Sequence, residues 1–276
     1  PQNGPLFDIL VGLNPDSSKT SIRSWIKEGR VKVDGMVIKS PATPVKTGSQ
    51  IELGAKPKFL EEGVKILFQD RYFIVIDKPE GLLSVKTRFE KEDTLHKYLK
   101  NRFGRVFVIH RLDQGTSGVM VFGIEEEASI RLKKSFRDHK LVRRYHAIVE
   151  GKLTGSGTWT HHLFEDEKYK VHVVPEGTDK AQKAITHYKA LSSAKGYTLV
   201  EFTLETGRKN QIRVQSSYMG HPVAGDEKYG ARGDPLRRLA LHASILEIPH
   251  PYTHKTLKFS SPVPLHFKKV VSAKTV

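Results

Sequence analysis

The residues best suited to chemistry lie in one short stretch, Val108 to Phe122, which reads VIHRLDQGTSGVMVF. An apolar run breaks into His110, Arg111, Leu112 and Asp113, turns through Gly115, and re-enters an apolar run at Gly118. A polar loop between two strands is where a rigid scaffold holds reactive groups. Asp113 is its one carboxylate, flanked by the Arg111 cation and the hydroxyls of Thr116 and Ser117, so neighbours rather than solvent can orient its charge. The plainer local reading is that Asp113 closes the turn through its own backbone, as Asp in D-x-G sequences does.

The elements around this loop bound what it can do. The 276 residues suffice for one substantial core and a small accessory domain. Lys and Arg number 46 against 30 Asp and Glu, a net charge of +16, which favours a polyanionic partner, nucleic acid ahead of an acidic membrane surface. No apolar run approaches the roughly 18 residues that cross a bilayer. The opening PQNGPLFDIL lacks the cation-then-apolar order of a secretory signal, and the chain starts without Met, as a trimmed sequence would. With no cysteine there is no disulfide, thiolate nucleophile or thiolate metal site, which fits a reducing, cytoplasmic compartment. Oxygen and nitrogen groups must do any chemistry.

Along the chain, Ile22, Trp25 and Ile26 put an apolar stripe on a helix between Ser17 and Gly29, with serines placed to cap it. Val31 to Val33 and Met36 to Ile38 flank Asp34-Gly35, a strong hairpin signal, and a short strand ends near Ile51. Lys19, Arg23, Lys27, Arg30 and Lys32 cluster on and after that helix, which reads either as a solvated basic face or as a grip on phosphates. Residues 55–63 form the natural linker. Beyond it, Val64 to Phe68 and Tyr72 to Asp77 read as an antiparallel pair stopped by Lys78-Pro79-Glu80-Gly81. Thr94 to Phe103 reads as a helix capped by Asp93, and Ala128 to Phe136 as another that leads into a strand over Leu141 to Val149. Tyr145 lies in that strand, by default a half-buried sheet tyrosine. His161 and His162 are adjacent on a strand, face opposite ways and cannot share a metal; no ligand set is present, so no metal is expected. Val200, Phe202 and Leu204 alternate with Glu201, Thr203 and Glu205 as a half-buried strand, Gly207 ends it, and a helix carrying Arg208, Lys209 and Arg213 is expected from Arg208 to Gly220. Cations at a helix start make an anion site.

Several motifs in order resemble the RluA family of pseudouridine synthases. These are Lys78-Pro79-Glu80-Gly81-Leu82, the His110-Arg111-Leu112-Asp113 loop through Thr116-Ser117-Gly118, Arg143-Arg144-Tyr145-His146-Ala147, Gly207-Arg208-Lys209-Asn210-Gln211-Ile212-Arg213, and His221-Pro222 through Gly225-Asp226 to Tyr229-Gly230. The resemblance covers roughly residues 64–265, and the portion from 6 to 54, with Glu28-Gly29-Arg30-Val31 and Val45 to Ile51, is similar to an S4 RNA-binding domain. Asn210 stands where the family commonly has His, Gln215 where it often has His, and Arg143 where it commonly has Lys.

The resemblance implies an α+β catalytic domain (64–276) with a mostly antiparallel mixed sheet, preceded by the S4-like domain (6–54). It implies isomerisation of uridine to pseudouridine in structured RNA, with large-subunit ribosomal RNA ahead of transfer RNA, no cofactor, and a monomer as the default expectation. Asp113 would be the catalytic carboxylate, as nucleophile at C1′ or as base towards the 2′ position. Arg213 would pair with it, and Tyr145 would lie against the target base. Arg111 would fill the space the base vacates, and His110 would orient the loop. Arg208, Lys209, Arg23, Lys27 and Arg30 would hold the RNA. Two other classes remain to be weighed. A non-catalytic RNA-binding module would have no use for Asp113, Tyr145 and Arg213 together. A glycoside hydrolase needs a second carboxylate, for which Glu80, Glu205 and Asp226 are available but lie in no comparable loop.

Overall fold

The structure, a computed structural model, describes residues 3–27, 29–38, 40–54, 64–86 and 94–272, with the side chains of Ser24 and Lys27 outside that description. The chain divides into two compact units, residues 1–62 and 63–276. The expected linker, 55–63, lies outside the described residues.

In the first unit, β1 (Gly4–Pro5) leads into α1 (Leu6–Leu13) and α2 (Lys19–Lys27). These are followed by β2 (Val31–Val33), β3 (Met36–Val37), β4 (Pro44–Val45) and β5 (Ile51–Leu53). Leu6 and Leu10 of α1, one turn apart, meet Ile22 and Ile26 of α2 over Val31, Val33 and Val45. This small core holds the short α1: two buried leucines suffice when a second amphipathic helix covers them. The Ser18 hydroxyl accepts from the Ser21 N–H at 3.1 Å, the serine cap that the sequence predicts. Between β2 and β3, Asp34 (φ 50°) and Gly35 (φ 78°) are both left-handed, as a two-residue hairpin turn requires.

The second unit opens with β6 (Lys65–Gln69), β7 (Phe73–Lys78), α3 (Leu95–Phe103), β8 (Phe107–Val108), β9 (Ser117–Gly123) and α4 (Glu126–Arg137). Next come β10 (Val142–Glu150), β11 (Ser156–Glu165), β12 (Val171–Val174), β13 (Gln182–Ala194) and β14 (Tyr197–Leu204). It closes with α5 (Gln211–Tyr218), β15 (Leu241–Pro249), β16 (Thr256–Ser260) and α6 (Leu265–Val270). One 11-stranded sheet runs β12-β11-β13-β14-β10-β15-β9-β7-β6, with β16 on β15 and β8 on β9. Among the described residues its pairs are antiparallel except β15 with β9, which run parallel. An α+β domain of this kind is the fold class that the sequence implies.

Every residue of β9 is buried, as its unbroken apolar run demands. Val119 and Val121 pack with Phe73, Val75, Leu246, Ile248 and Leu132 of α4. At the parallel seam Gly118 (φ 110°) comes so close to β15 that a Cβ would lie 2.1 Å from the Ala243 carbonyl oxygen. Only glycine fits there. Helix α3 is capped by Thr94, whose side chain accepts from the Lys97 N–H; Asp93, the cap expected from the sequence, lies outside the described residues.

Candidate active site

The Asp113 loop joins β8 to β9 and is clamped from behind. The Ser84 hydroxyl donates to the Leu112 carbonyl at 2.6 Å and accepts from the Leu112 N–H at 3.1 Å. Lys78, fully buried, donates to the carbonyls of Leu82 (2.7 Å), Pro79 (2.9 Å) and Gln114 (3.1 Å), one acceptor for each ammonium proton. Burial pushes its pKa down to about 7, Arg238 adding to the effect while Asp113 and Glu80 oppose it. Ser117, expected to help orient Asp113, is instead turned away. Its hydroxyl lies 2.9 Å from His242 Nδ1 and accepts from Arg238 Nη2 at 2.9 Å, because the β9–β15 seam places those groups beside it.

What orients Asp113 comes from α5 and the turn after it. Arg213 Nη1 donates to Asp113 Oδ2 at 2.9 Å, while its Nε and Nη2 grip Asp226 at 2.6 and 2.8 Å. The side chains of Arg213, Asp113 and Asp226 are 14%, 24% and 1% exposed, so the bidentate pair is a dry anchor and Asp113 the open end. Burial alone would lower the Arg213 pKa, but Asp226 and then Asp113 outweigh it and the value is raised. The helix itself begins at Gln211, not at Arg208. Asn210 is left-handed (φ 54°), and the Gln211 side chain turns back to accept the Arg208 N–H at 2.9 Å. That backbone donor is therefore already satisfied, and it is side-chain charge that Arg208 and Lys209 bring.

The Asn210 amide also faces Asp113. With its nitrogen towards the carboxylate it donates to Oδ2 at 2.8 Å and Oδ1 at 3.0 Å, and its oxygen accepts from the Tyr229 hydroxyl at 2.9 Å; the opposite setting would face oxygen to oxygen. The departure at 210, Asn where the family commonly has His, thus touches the carboxylate itself. Gln215, the other departure, is buried and bonded to Thr186, Ala184 and His161, a core role.

Tyr145 reaches the same depression from β10. The β10–β15 register slips between Arg144 and Tyr145, and the extra residue, Ser244, bonds the Arg144 carbonyl at 3.1 Å and His146 Nδ1 at 2.8 Å. The bulge therefore lies on β15, opposite Tyr145, where it adds local twist to the pairing. Tyr145 is buried yet shares a pocket wall with Arg111, Asp113, Arg208 and Arg213. Burial raises its hydroxyl pKa, so it is a neutral aromatic surface. A groove of roughly 500 Å³ continues from Tyr145 past Arg111, Arg143, Arg208, Phe136 and His139.

Other expected RNA contacts fall elsewhere. His110 does not present a cation: its ring stacks on Phe136 (4.6 Å), Nε2 accepts the Val121 N–H at 3.1 Å, and burial lowers its pKa to about 3. Lys209 is ion-paired with Glu165 and lies 5.4 Å over the Tyr169 ring. Arg23 and Arg30 belong to the first unit, where they lie over Phe7 (4.5 Å) and Trp25 (5.6 Å). The Lys27 side chain lies outside the described residues. What Asp226, Asn210, Tyr229 and Lys78 face escapes the sequence, although the G-D-x-x-Y-G, G-R-x-N-Q-I-R and K-P-x-G strings contain them. Among the described residues no His, Asp or Glu cluster could hold a metal, and no helix is long and apolar enough to cross a membrane.

A carboxylate held by a buried arginine, opposite an aromatic wall in a basic groove, suits chemistry at the sugar of an unstacked nucleotide. Residues 72–218, just over half of the chain, match the family model for RNA pseudouridylate synthases. The chain belongs to that family. As an RNA pseudouridylate synthase of the RluA type it is an isomerase, and its residues 4–51 match the S4 domain model. A ribosomal large subunit pseudouridine synthase D of Pseudomonas aeruginosa is 33% identical over 97% of this chain and 91% of its own length. One of Pasteurella multocida is 29% identical over 97% and 90%. Among solved structures, human RNA pseudouridylate synthase domain containing 1 is similar at 26% identity and a TM-score of 0.61, over 73% of this synthase and 84% of that chain. Human RNA pseudouridylate synthase domain containing 4 is 28% identical with a TM-score of 0.59, over 74% and 90%.

Proposed function

We propose that this synthase isomerises uridine in large-subunit ribosomal RNA and that Asp113 is its catalytic carboxylate. The observation that carries the reading is the meeting of Asp113 with Arg213 at 2.9 Å in a pocket also lined by Tyr145. The uridine leaves its stack, at a cost of about a few kcal/mol, and Arg111 occupies the space left behind. Tyr145 holds the uracil by its face. Asp113 then acts at the ribose, as nucleophile on C1′ or as base at the 2′ position. The C1′–N1 bond breaks, the uracil turns, C5 bonds to C1′, the C5 proton is lost and N1 gains one. Atoms balance without donor, water or redox partner. Arg213 supplies the counter-charge whenever the Asp113 carboxylate is ionised, before the reaction and after Asp113 is released.

The curated relatives named as acting on the large ribosomal subunit support that choice of RNA, with transfer RNA as the alternative. The S4 unit (6–54) and the Arg111–Arg208 groove would supply phosphate contacts, so affinity should fall steeply with salt. One chain supplies Asp113, Tyr145 and Arg213, so a monomer suffices, and a cysteine-free RNA enzyme fits the cytoplasm. The test is pseudouridine mapping in RNA from cells with and without the gene, alongside Asp113→Asn. That variant should bind RNA and make no product. Product from Asp113→Asn would overturn the assigned role.

A further inference from the structure

Asp113 is held at more than one point, and the second hold has a defined supply line. Arg213 reaches only Oδ2; the Asn210 amide spans Oδ2 at 2.8 Å and Oδ1 at 3.0 Å. A carboxylate bonded at one oxygen can still swing about its terminal torsion, which is broad for Asp. A donor bridging both oxygens stops that swing. The Asn210 amide is itself fixed, because its oxygen takes the Tyr229 hydroxyl proton at 2.9 Å and the Tyr229 oxygen accepts the Val171 N–H at 3.3 Å. One short turn, Asp226 to Tyr229, therefore governs both holds, Asp226 through Arg213 and Tyr229 through Asn210.

We propose that Asn210 is a positioning residue for the isomerisation, setting the plane of the Asp113 carboxylate so that Oδ1, the less engaged oxygen, meets the sugar. This rests on Asp113 being the reacting group. The backbone fits the assignment: Asn210 sits at φ 54°, a conformation that Asn, Asp and Gly adopt with least strain, so substitutions can be chosen that leave the turn intact.

The experiment compares Asn210→Gly, Asn210→Asp and Asn210→His with the unaltered chain. It measures melting temperature, RNA affinity, and single-turnover pseudouridine formation at saturating enzyme on RNA from cells lacking the gene. Asn210→Gly should slow turnover about 10- to 100-fold, the loss of a charge-assisted hydrogen bond expressed as rate, with affinity within about twofold. Asn210→Asp keeps shape and backbone but sets an oxyanion against Asp113, so it should lose more than Asn210→Gly; a role in shape alone predicts the reverse. Asn210→His restores an N–H donor and should recover part of the rate. Tyr229→Phe, which leaves the amide in place but unsteadied, should lose about 3- to 10-fold and decides the matter if Asn210→Gly does not fold. Turnover within about twofold of the unaltered chain in Asn210→Gly or Tyr229→Phe, or better turnover in Asn210→Asp than in Asn210→Gly, overturns the inference while the proposed function stands. No product from the unaltered chain removes both.

Discussion

Arg213 and Asp113 are a hundred positions apart in the chain and 2.9 Å apart in space, and the other edge of the same guanidinium holds Asp226 by two bonds. Two carboxylates share one cation. The buried one fixes the arginine, which leaves the half-open one addressed but not enclosed.

Asp226→Asn should therefore act on both stability and rate. Its side chain is 1% exposed, and removing one partner of a buried pair costs about 3 kcal/mol or more. Urea unfolding should show that loss, and turnover should fall because Arg213 is no longer held square to Asp113. RNA affinity at fixed salt should change little.

Glu165→Gln should tighten RNA binding. Glu165 at the end of β11 pairs with Lys209, and Lys209 lines the Asp113 pocket with Lys228. Freeing that cation for a phosphate should steepen the dependence of log affinity on log salt by about one contact. Titrations at two or more salt concentrations read both effects; unchanged slope and affinity would show that Lys209 stays clear of the backbone.

Acid should destabilise the catalytic unit through His110. Its folded pKa, about 3, lies below the ordinary 6.5, so between those values the unfolded chain binds a proton that the folded one refuses. Stability from this group is complete above pH 6.5 and is lost as pH falls, by about 2 kcal/mol at pH 5. Urea midpoints at pH 7.5 and 5.0 should differ more in the unaltered chain than in His110→Asn.

Gly118→Ala should be among the most damaging single substitutions. Its Cβ would lie 2.1 Å from the Ala243 carbonyl oxygen at a φ of 110°. Forcing the β9–β15 seam apart should cost at least about 3 kcal/mol, seen as a large fall in melting temperature or as insoluble protein.

Local signals account for what was legible in the sequence. Asp34-Gly35 forces its hairpin, the alternation from Val200 to Leu204 sets one strand face, and the apolar run after Gly118 can only be an interior strand. The Asp113, Tyr145 and Arg213 grouping was readable only through motif order, since no periodicity links positions that far apart. What escaped was direction. His110 looks like a polar loop residue, yet a waiting N–H on Val121 and the face of Phe136 draw it inward. Ser117 looks like a neighbour of Asp113, but alternation along β9 points it at His242. Asp226 read as a spare carboxylate because nothing local says that α5 crosses over it.

Strand β15, near the end of the chain, is inserted at the middle of the sheet, between β10 and β9. While the protein is being made, therefore, Asp113 and Tyr145 emerge well before the strand that joins their two halves. A nascent chain stopped short of Leu241 would carry Asp113, Tyr145 and Arg213 without the strand that joins the two halves of the sheet, and the pocket they line would close only once Leu241–Pro249 has been made.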